Sequence, residues 1–204
     1  MTPIVVGLVV LAGAVAAFLV RARLRHRAPR PMSIDPFTLS EPWRRHVAAA
    51  QTTQRRYLQI AGSAADGPLR DRLREIGAQV QHAVEECFAI ARRGDALDDA
   101  LARFDTGSLN RQLASATDEA TRTSVQAQLQ SAGRIRATRD DTDSRLRLLT
   151  TRMGELVAQA AEVSVGTDST DQLGTGVDDV VTQLEALRLA LNDINSTGRP
   201  ATSP

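Results

Sequence analysis

VDDVVTQLEALRLALNDI, residues 177–194, decides the fold. Its apolar side chains fall at Val177, Val180, Leu184, Leu187, Leu191 and Ile194. That three-four alternation lines one face of an α-helix and no face of a strand. Asp178 and Asp179 suit the positive end of the helix dipole, and Thr175 offers a cap. The spacing predicts a stripe buried against other helices, with Leu187 central on it and Arg188 off it. The residues from Ser196 read as a frayed tail.

The same spacing recurs upstream. Leu69, Leu73, Ile76, Val80, Ala83, Cys87 and Ile90 form a second stripe, opened by the stop-and-restart signal Asp66-Gly67-Pro68. Arg93-Gly94-Asp95 reads as a break or kink, after which Leu97, Leu101 and Phe104 continue an apolar face. Thr106-Gly107-Ser108 reads as another break, and Leu109 and Leu113 start a weaker helix. A long helix follows, opened by Val125, Leu129 and Ala132 and continued by Leu146, Leu149, Met153, Leu156, Ala160 and Val163. Between those two sets, Arg136 to Ser144 (RATRDDTDS) holds almost nothing apolar, so that segment is expected to be exposed or loosely held. Gly166 to Gly176 reads as a loop. The first of these helices starts near Ser40, a candidate cap. Trp43, Val47, Ala50, Gln54, Tyr57 and Ala61 lie along its stripe, and Pro42 is tolerable in its first turn. No alternation of strand length appears. The expected fold is all-α: three or four antiparallel helices in a bundle with coiled-coil-like seams.

The N-terminus has a different character. Ile4 to Val20 is an unbroken apolar run, and RARLRHRAPR after it carries Arg21, Arg23, Arg25, Arg27 and Arg30. Seventeen residues of helix reach roughly 25 Å, close to a hydrocarbon core of about 30 Å. Pro3, Ala22 and Leu24 complete the span as the flanking arginines snorkel to the headgroups. A cleavable signal peptide carries its positive charge before the apolar core, not after it. The run therefore reads as a single-pass signal anchor over residues 1–24, with the chain after it cytoplasmic because positive flanks stay inside. A basic, Pro-rich juxtamembrane linker occupies 25–39, the helical bundle 40–195 and a disordered tail 196–204. The five flank arginines set topology, and anionic lipid headgroups are the partner they would meet.

All 25 basic residues are arginine, against 24 acidic ones. With five arginines in the flank, the remainder carries a net charge of about −4. A mildly acidic soluble part argues against general nucleic-acid binding, which depends on neutralising phosphates. One cysteine, Cys87, excludes an intramolecular disulfide and suits a reducing compartment. On the seam it reads as a buried, inert thiol.

Candidate chemistry is thin. His82, Glu85 and Glu86 share one turn, but a bundle di-metal site needs Glu-x-x-His twice with two further glutamates. Asp140, Asp141 and Asp143 resemble a cation cluster without the glycine turn and terminal glutamate of a calcium loop, so a solvated helix face is the expectation. Gly174-Thr175-Gly176 lacks the preceding strand of a nucleotide loop. No catalytic residue, metal site, cofactor or small-molecule substrate is expected. The remaining candidate is an interaction surface of Trp43, Arg44, Arg45, Arg55, Arg56 and Tyr57, since arginine and aromatic side chains mark interface hot spots. Packing of the two aromatics inside the bundle, with the arginines solvated or salt-bridged, is the favoured reading of these residues.

DPFTLSEPWRRHVAAAQTTQRRY (35–57), GPLRDRLREIG (67–77) and LEALRLAL (184–191) resemble an uncharacterised family of actinobacterial single-pass membrane-anchored helical proteins, most specifically at Glu41-Pro42-Trp43-Arg44. The likeness covers most of residues 35–194. It implies topology and fold, and brings no activity with it. The sequence thus points to a non-enzymatic interaction or scaffold protein at the inner face of the membrane, holding a protein partner or a second copy through its helical stripes. Two other readings stand beside it: a lipid-sensing regulatory or envelope-stress component, and an enzyme with an unrecognised site.

Overall fold

A computed structural model describes residues 34–166 and 169–197. The apolar run Ile4–Val20, its arginine flank and the tail from residue 198 lie outside the described residues. Among the described residues all regular structure is helical, and no helix there is long and apolar enough to cross a membrane. A 3-10 turn, Pro36–Thr38, leads into α1 (Trp43–Ser63), α2 (Pro68–Ala102), α3 (Thr106–Ser115), α4 (Glu119–Ser164) and α5 (Thr170–Thr197).

Four of these helices form an up-down-up-down bundle. α1 packs on α2 and α4, α5 packs on the same two, and α2 also meets α4 across the middle. Hydrogen bonds fix the directions. His46 to Asp143 aligns α1 with α4, while Gln79 to Asp178 and Arg93 to Asn192 align α2 with α5. The α1–α2 hairpin and the α4–α5 hairpin therefore run the same course side by side. Each turns at a glycine with positive φ, Gly67 (153°) and Gly166 (81°), a region that side chains with a Cβ avoid. α3 packs on the N-terminal part of α4, where Leu109, Val125 and Ala132 are buried.

The apolar stripes meet in one core. Leu73, Ile76, Ala83, Cys87 and Ile90 of α2, Leu146, Leu149 and Val163 of α4, and Val177, Val180 and Leu184 of α5 are buried. Each Leu, Ile or Val among them withdrawn from water contributes about 1.5–3 kcal/mol. The stripes are thus consumed within the chain, so they are not available to a partner in the folded monomer.

Six local expectations fail, three of them at glycines. Arg93-Gly94-Asp95 neither breaks nor kinks α2, which runs on to Ala102. A Cβ at Gly94 would fall within 3.0 Å of the Trp43 six-membered ring, so this glycine exists for close approach of α1. Thr106-Gly107-Ser108 is the first turn of α3, capped by Asp105, whose side chain accepts from the Ser108 N–H at 2.9 Å. The expected loop to Gly176 ends early: α5 already begins at Thr170. Thr175 lies inside that helix and donates its hydroxyl to the Asp171 carbonyl at 3.0 Å instead of capping. A Cβ at Gly176 would stand 2.6 Å from Leu156 Cδ2, so here too glycine admits a neighbouring helix. Ser40 likewise does not cap α1. Pro42 takes the cap position, and Ser40 bonds across to Asp95. α5 also runs to Thr197, two residues into the stretch read as tail.

Three substitutions separate these roles when read by thermal or urea melting of the helical signal. Leu187, 7% exposed, should cost roughly 2–5 kcal/mol on change to Ala. Gly94→Ala should cost about 1–3 kcal/mol by overpacking against Trp43. Gly133→Ala, where nothing lies within 4 Å of the new methyl, should stabilise by about 0.5–1 kcal/mol.

Candidate functional site

The bundle's polar groups converge where the chain enters it. The strap before α1 is tied down by the Ser40 N–H and hydroxyl, both donated to Asp95 Oδ1, the former at 3.1 Å. Three residues on, Trp43 is fully buried with its ring against Gly94. Its indole N–H donates to Asp98 Oδ2 at 2.6 Å, and Asp98 Oδ1 accepts from Arg139 Nε at 2.9 Å. The Arg139 guanidinium carbon stands 5.3 Å from the Trp43 ring centroid. Such a cation–π contact is worth about 0.5–2 kcal/mol, depending on desolvation. One turn further, His46 Nε2 and Asp143 Oδ1 are 2.6 Å apart, with both side chains buried. Asp143 Oδ2 accepts from Arg147 at 2.8 Å. α1, α2 and α4 are thereby joined by one clamp of charged and aromatic groups.

Asp143 carries the clearest electrostatic signature. Burial alone would raise its pKa. The His46 hydrogen bond and the charges of His46, Arg147 and Arg139 outweigh burial and hold the carboxyl below its ordinary value. The Arg139 guanidinium is pushed the other way, chiefly by its hydrogen bond to Asp98.

RATRDDTDS, expected to be exposed or loosely held, supplies half of this clamp. Arg139, Thr142 and Asp143 face inward, Thr142 donating to the Thr138 carbonyl at 2.7 Å. Asp143 is therefore no solvated carboxylate of a cation cluster, whereas Asp140 and Asp141 are exposed and pair with Arg139 and Arg145. The long-range partners His46 and Asp98 carried no local signal for this. Asp98 sits four residues past Gly94, in the segment read as a continuation after a break.

The six residues of the expected interaction surface divide. Trp43 and Tyr57 belong to the core, at 0% and 1% exposure, and so cannot form part of an outer surface. Tyr57 donates its hydroxyl to the Leu73 carbonyl at 2.9 Å, and burial pushes its pKa up to about 12. The arginines stay outside: Arg44 and Arg45 pair with Glu41, Arg55 donates to Thr52, and Arg56 is exposed. Exposed pairs of this kind contribute little to stability.

The three-residue metal candidate also comes apart. His82 reaches Glu185 at 3.0 Å and Glu86 reaches Arg188 at 2.5 Å, both across to α5. No group of three metal-ligating side chains stands together among the described residues. Arg188 is thus not a bystander to the stripe, because it covers the buried Glu86 carboxylate. Cys87 is fully buried, and desolvation pushes its thiol up to about 12. An interior cavity near Tyr57, Val80, Met153 and Leu156 is walled mostly by carbon, so it lacks the convergent polar groups that orient a substrate.

Comparison with protein-family models, with curated proteins and with solved structures finds no match for this chain.

Three outcomes follow for solution experiments. Arg188→Ala should cost roughly 1–3 kcal/mol in a urea melt, since it strips the partner from a buried carboxylate. Because folding lowers the Asp143 pKa, its contribution to stability is present above the unfolded value near 3.9 and is lost as pH falls through the folded value. Asp143→Asn should therefore flatten the decline of the urea midpoint on acidification below about pH 4. Cys87 should resist thiol alkylation at neutral pH in the native protein and react fully in denaturant.

Proposed function

We propose that this chain is a membrane-anchored, non-enzymatic helical interaction or scaffold protein whose bundle stands at the cytoplasmic face of the cell membrane. The observation that carries the reading is the clamp at the entry point. The bundle grips its own N-terminal strap through Ser40, Trp43 and His46, within twenty residues of the arginine flank. A fastening of that kind suits a rigid body held close to a surface. Since the stripes are spent on the core, a protein partner would use the outer faces, where Arg45, Arg55 and Arg56 of α1 stand with exposed Leu58.

The lipid-sensing reading draws on one further feature. Phe37, 83% exposed, is presented on the 3-10 turn between the arginine flank and the clamp. An exposed apolar ring there suits shallow burial at the boundary between headgroups and acyl chains.

Reporter fusions after Pro204 test the anchor. A cytoplasmic-type reporter should be active and an export-dependent one silent, and the reverse pattern overturns the orientation. Crosslinking in native membranes then separates the two readings. Protein adducts lost on Arg55→Glu/Arg56→Glu support the scaffold. Adducts to lipid alone, lost on Phe37→Ser, support the sensor.

A further inference from the structure

α1 and α5 stand at opposite corners of the bundle, each packed on α2 and α4. Their charges are opposite. α1 carries Arg44, Arg45, Arg55 and Arg56 and no carboxylate. α5 carries Asp171, Asp178, Asp179, Glu185 and Asp193 against Arg188, and Arg188 is paired with Glu86. Helical spacing turns these charges outward. Trp43, Val47, Ala50, Tyr57 and Ala61 face the core, which leaves Arg45, Ala48, Ala49, Arg55 and Arg56 exposed on the far side of α1. On α5, Val177, Val180, Leu184, Leu187 and Leu191 face the core, which leaves Asp178, Asp179, Ala186, Leu189 and Asp193 exposed.

The cross-bundle contacts also set the height of each charge. At the entry end, the Trp43 ring lies against Gly94, and Arg93 donates to Asn192 at 2.8 Å. Arg44 and Arg45 are therefore level with Asp193. Lower down, Gln54 donates to Gln81, and Gln79 donates to Asp178 at 2.6 Å. Arg55 and Arg56 are therefore level with Asp178 and Asp179. Between the two levels α5 presents Leu189, 55% exposed, and α1 presents the small side chains of Ala48 and Ala49. Glu41 takes part of the charge of Arg44 and Arg45, whereas Arg55 donates only to the neutral Thr52 hydroxyl. The lower level is thus the stronger one.

We propose that the α1 face docks on the α5 face of a second copy of this chain, side by side and with the same polarity. A sideways shift along the α1–α5 diagonal brings the two faces together without change of height. Arg55 and Arg56 of one copy then meet Asp178 and Asp179 of the next, and Arg45 meets Asp193. The contact joins two different patches, so it leaves a free α1 face at one end and a free α5 face at the other. Copies add head to tail into a row, as heterologous contacts do. The row rests on the anchored scaffold reading for one thing, since a shared membrane gives every copy the same polarity. Exposed ion pairs are individually weak, and confinement to one membrane raises the effective concentration at which they act.

The test uses the full-length chain in phosphatidylcholine vesicles, with Ala49→Cys/Ala186→Cys and a short bismaleimide crosslinker. Cys87 is fully buried and stays out of the reaction. The double-cysteine chain should give a ladder of oligomers that fades in high salt. Either cysteine alone should give almost none, as a head-to-tail contact requires. Adding Arg55→Glu/Arg56→Glu should cut the ladder several-fold, and so should adding Asp178→Arg/Asp179→Arg. A mixture of these two charge-reversed chains should restore it, because each again meets a complementary face. A ladder indifferent to both reversals overturns the proposal. So does a ladder that the mixture fails to restore, or one matched by dimers of a single-cysteine chain. Should a reversal cost helical circular dichroism, Arg55→Gln/Arg56→Gln is read in its place, with the same loss expected. Flotation with the vesicles reports the anchor separately. A chain that floats and gives no ladder overturns the contact alone. A chain that does not float overturns the anchor, and the ladder is then read in solution against the same outcomes.

Discussion

The approach of Trp43 to Gly94 is the constraint on which the entry end of this bundle depends. An indole ring occupies space that a single methyl group on α2 would take. Once the ring is seated, its N–H points at Asp98, its face is open to Arg139, and the next turn of α1 delivers His46 to Asp143. The charges in this region are buried with partners, as burial demands. Without the ring, Asp98 and Arg139 would still meet, but α1 would have no fixed depth against α2. Shape sets the electrostatics here, and the electrostatics then hold the shape.

Elements whose evidence was local were legible in the sequence. The stripes of α2, α4 and α5 were readable because apolar side chains at three-four spacing have one stable destination, and the all-α bundle followed. Errors clustered where one residue type has two physical uses. Gly94 and Gly176 were read as chain breakers, since glycine costs a helix conformational entropy. Both instead lie inside helices, where the missing Cβ admits a tryptophan ring or a leucine from the neighbouring helix. That second use depends on a residue far away in the chain. The RATRDDTDS segment failed for a related reason. Periodicity counts apolar groups, and it is blind to a buried Asp143 whose partner lies 97 residues upstream. The interior aromatics were readable only as alternatives, because a tryptophan beside two arginines looks the same in sequence whether it faces a partner or the core.

Under the scaffold reading proposed above, the closed core limits what the described helices have to offer a partner. Coiled-coil-like seams suggest a surface waiting for a helix, yet the described stripe residues of α2, α4 and α5 are mostly spent on the core. Among the described residues, what remains outside is mostly polar, with isolated apolar side chains such as Leu58, Leu148 and Leu189. Isolated exposure of that kind is ordinary for a folded surface. Recognition by such a surface rests on charge placement and shape, so it is tuned by rim arginines more than by buried area.

The sequence separation of the clamp has a consequence for the order of folding. Each hairpin brings together residues that are near in the chain, such as Tyr57 and Leu73, 16 positions apart. His46 and Asp143, by contrast, close a loop of nearly half the chain. Local contacts form ahead of distant ones because loop closure is entropically costly. Contact order therefore favours zipping of the two hairpins ahead of closure of the clamp. Interactions made after the transition state leave the folding rate unchanged and slow unfolding. A clamp that closes after the rate-limiting step would set the lifetime of the folded state more than the speed of reaching it.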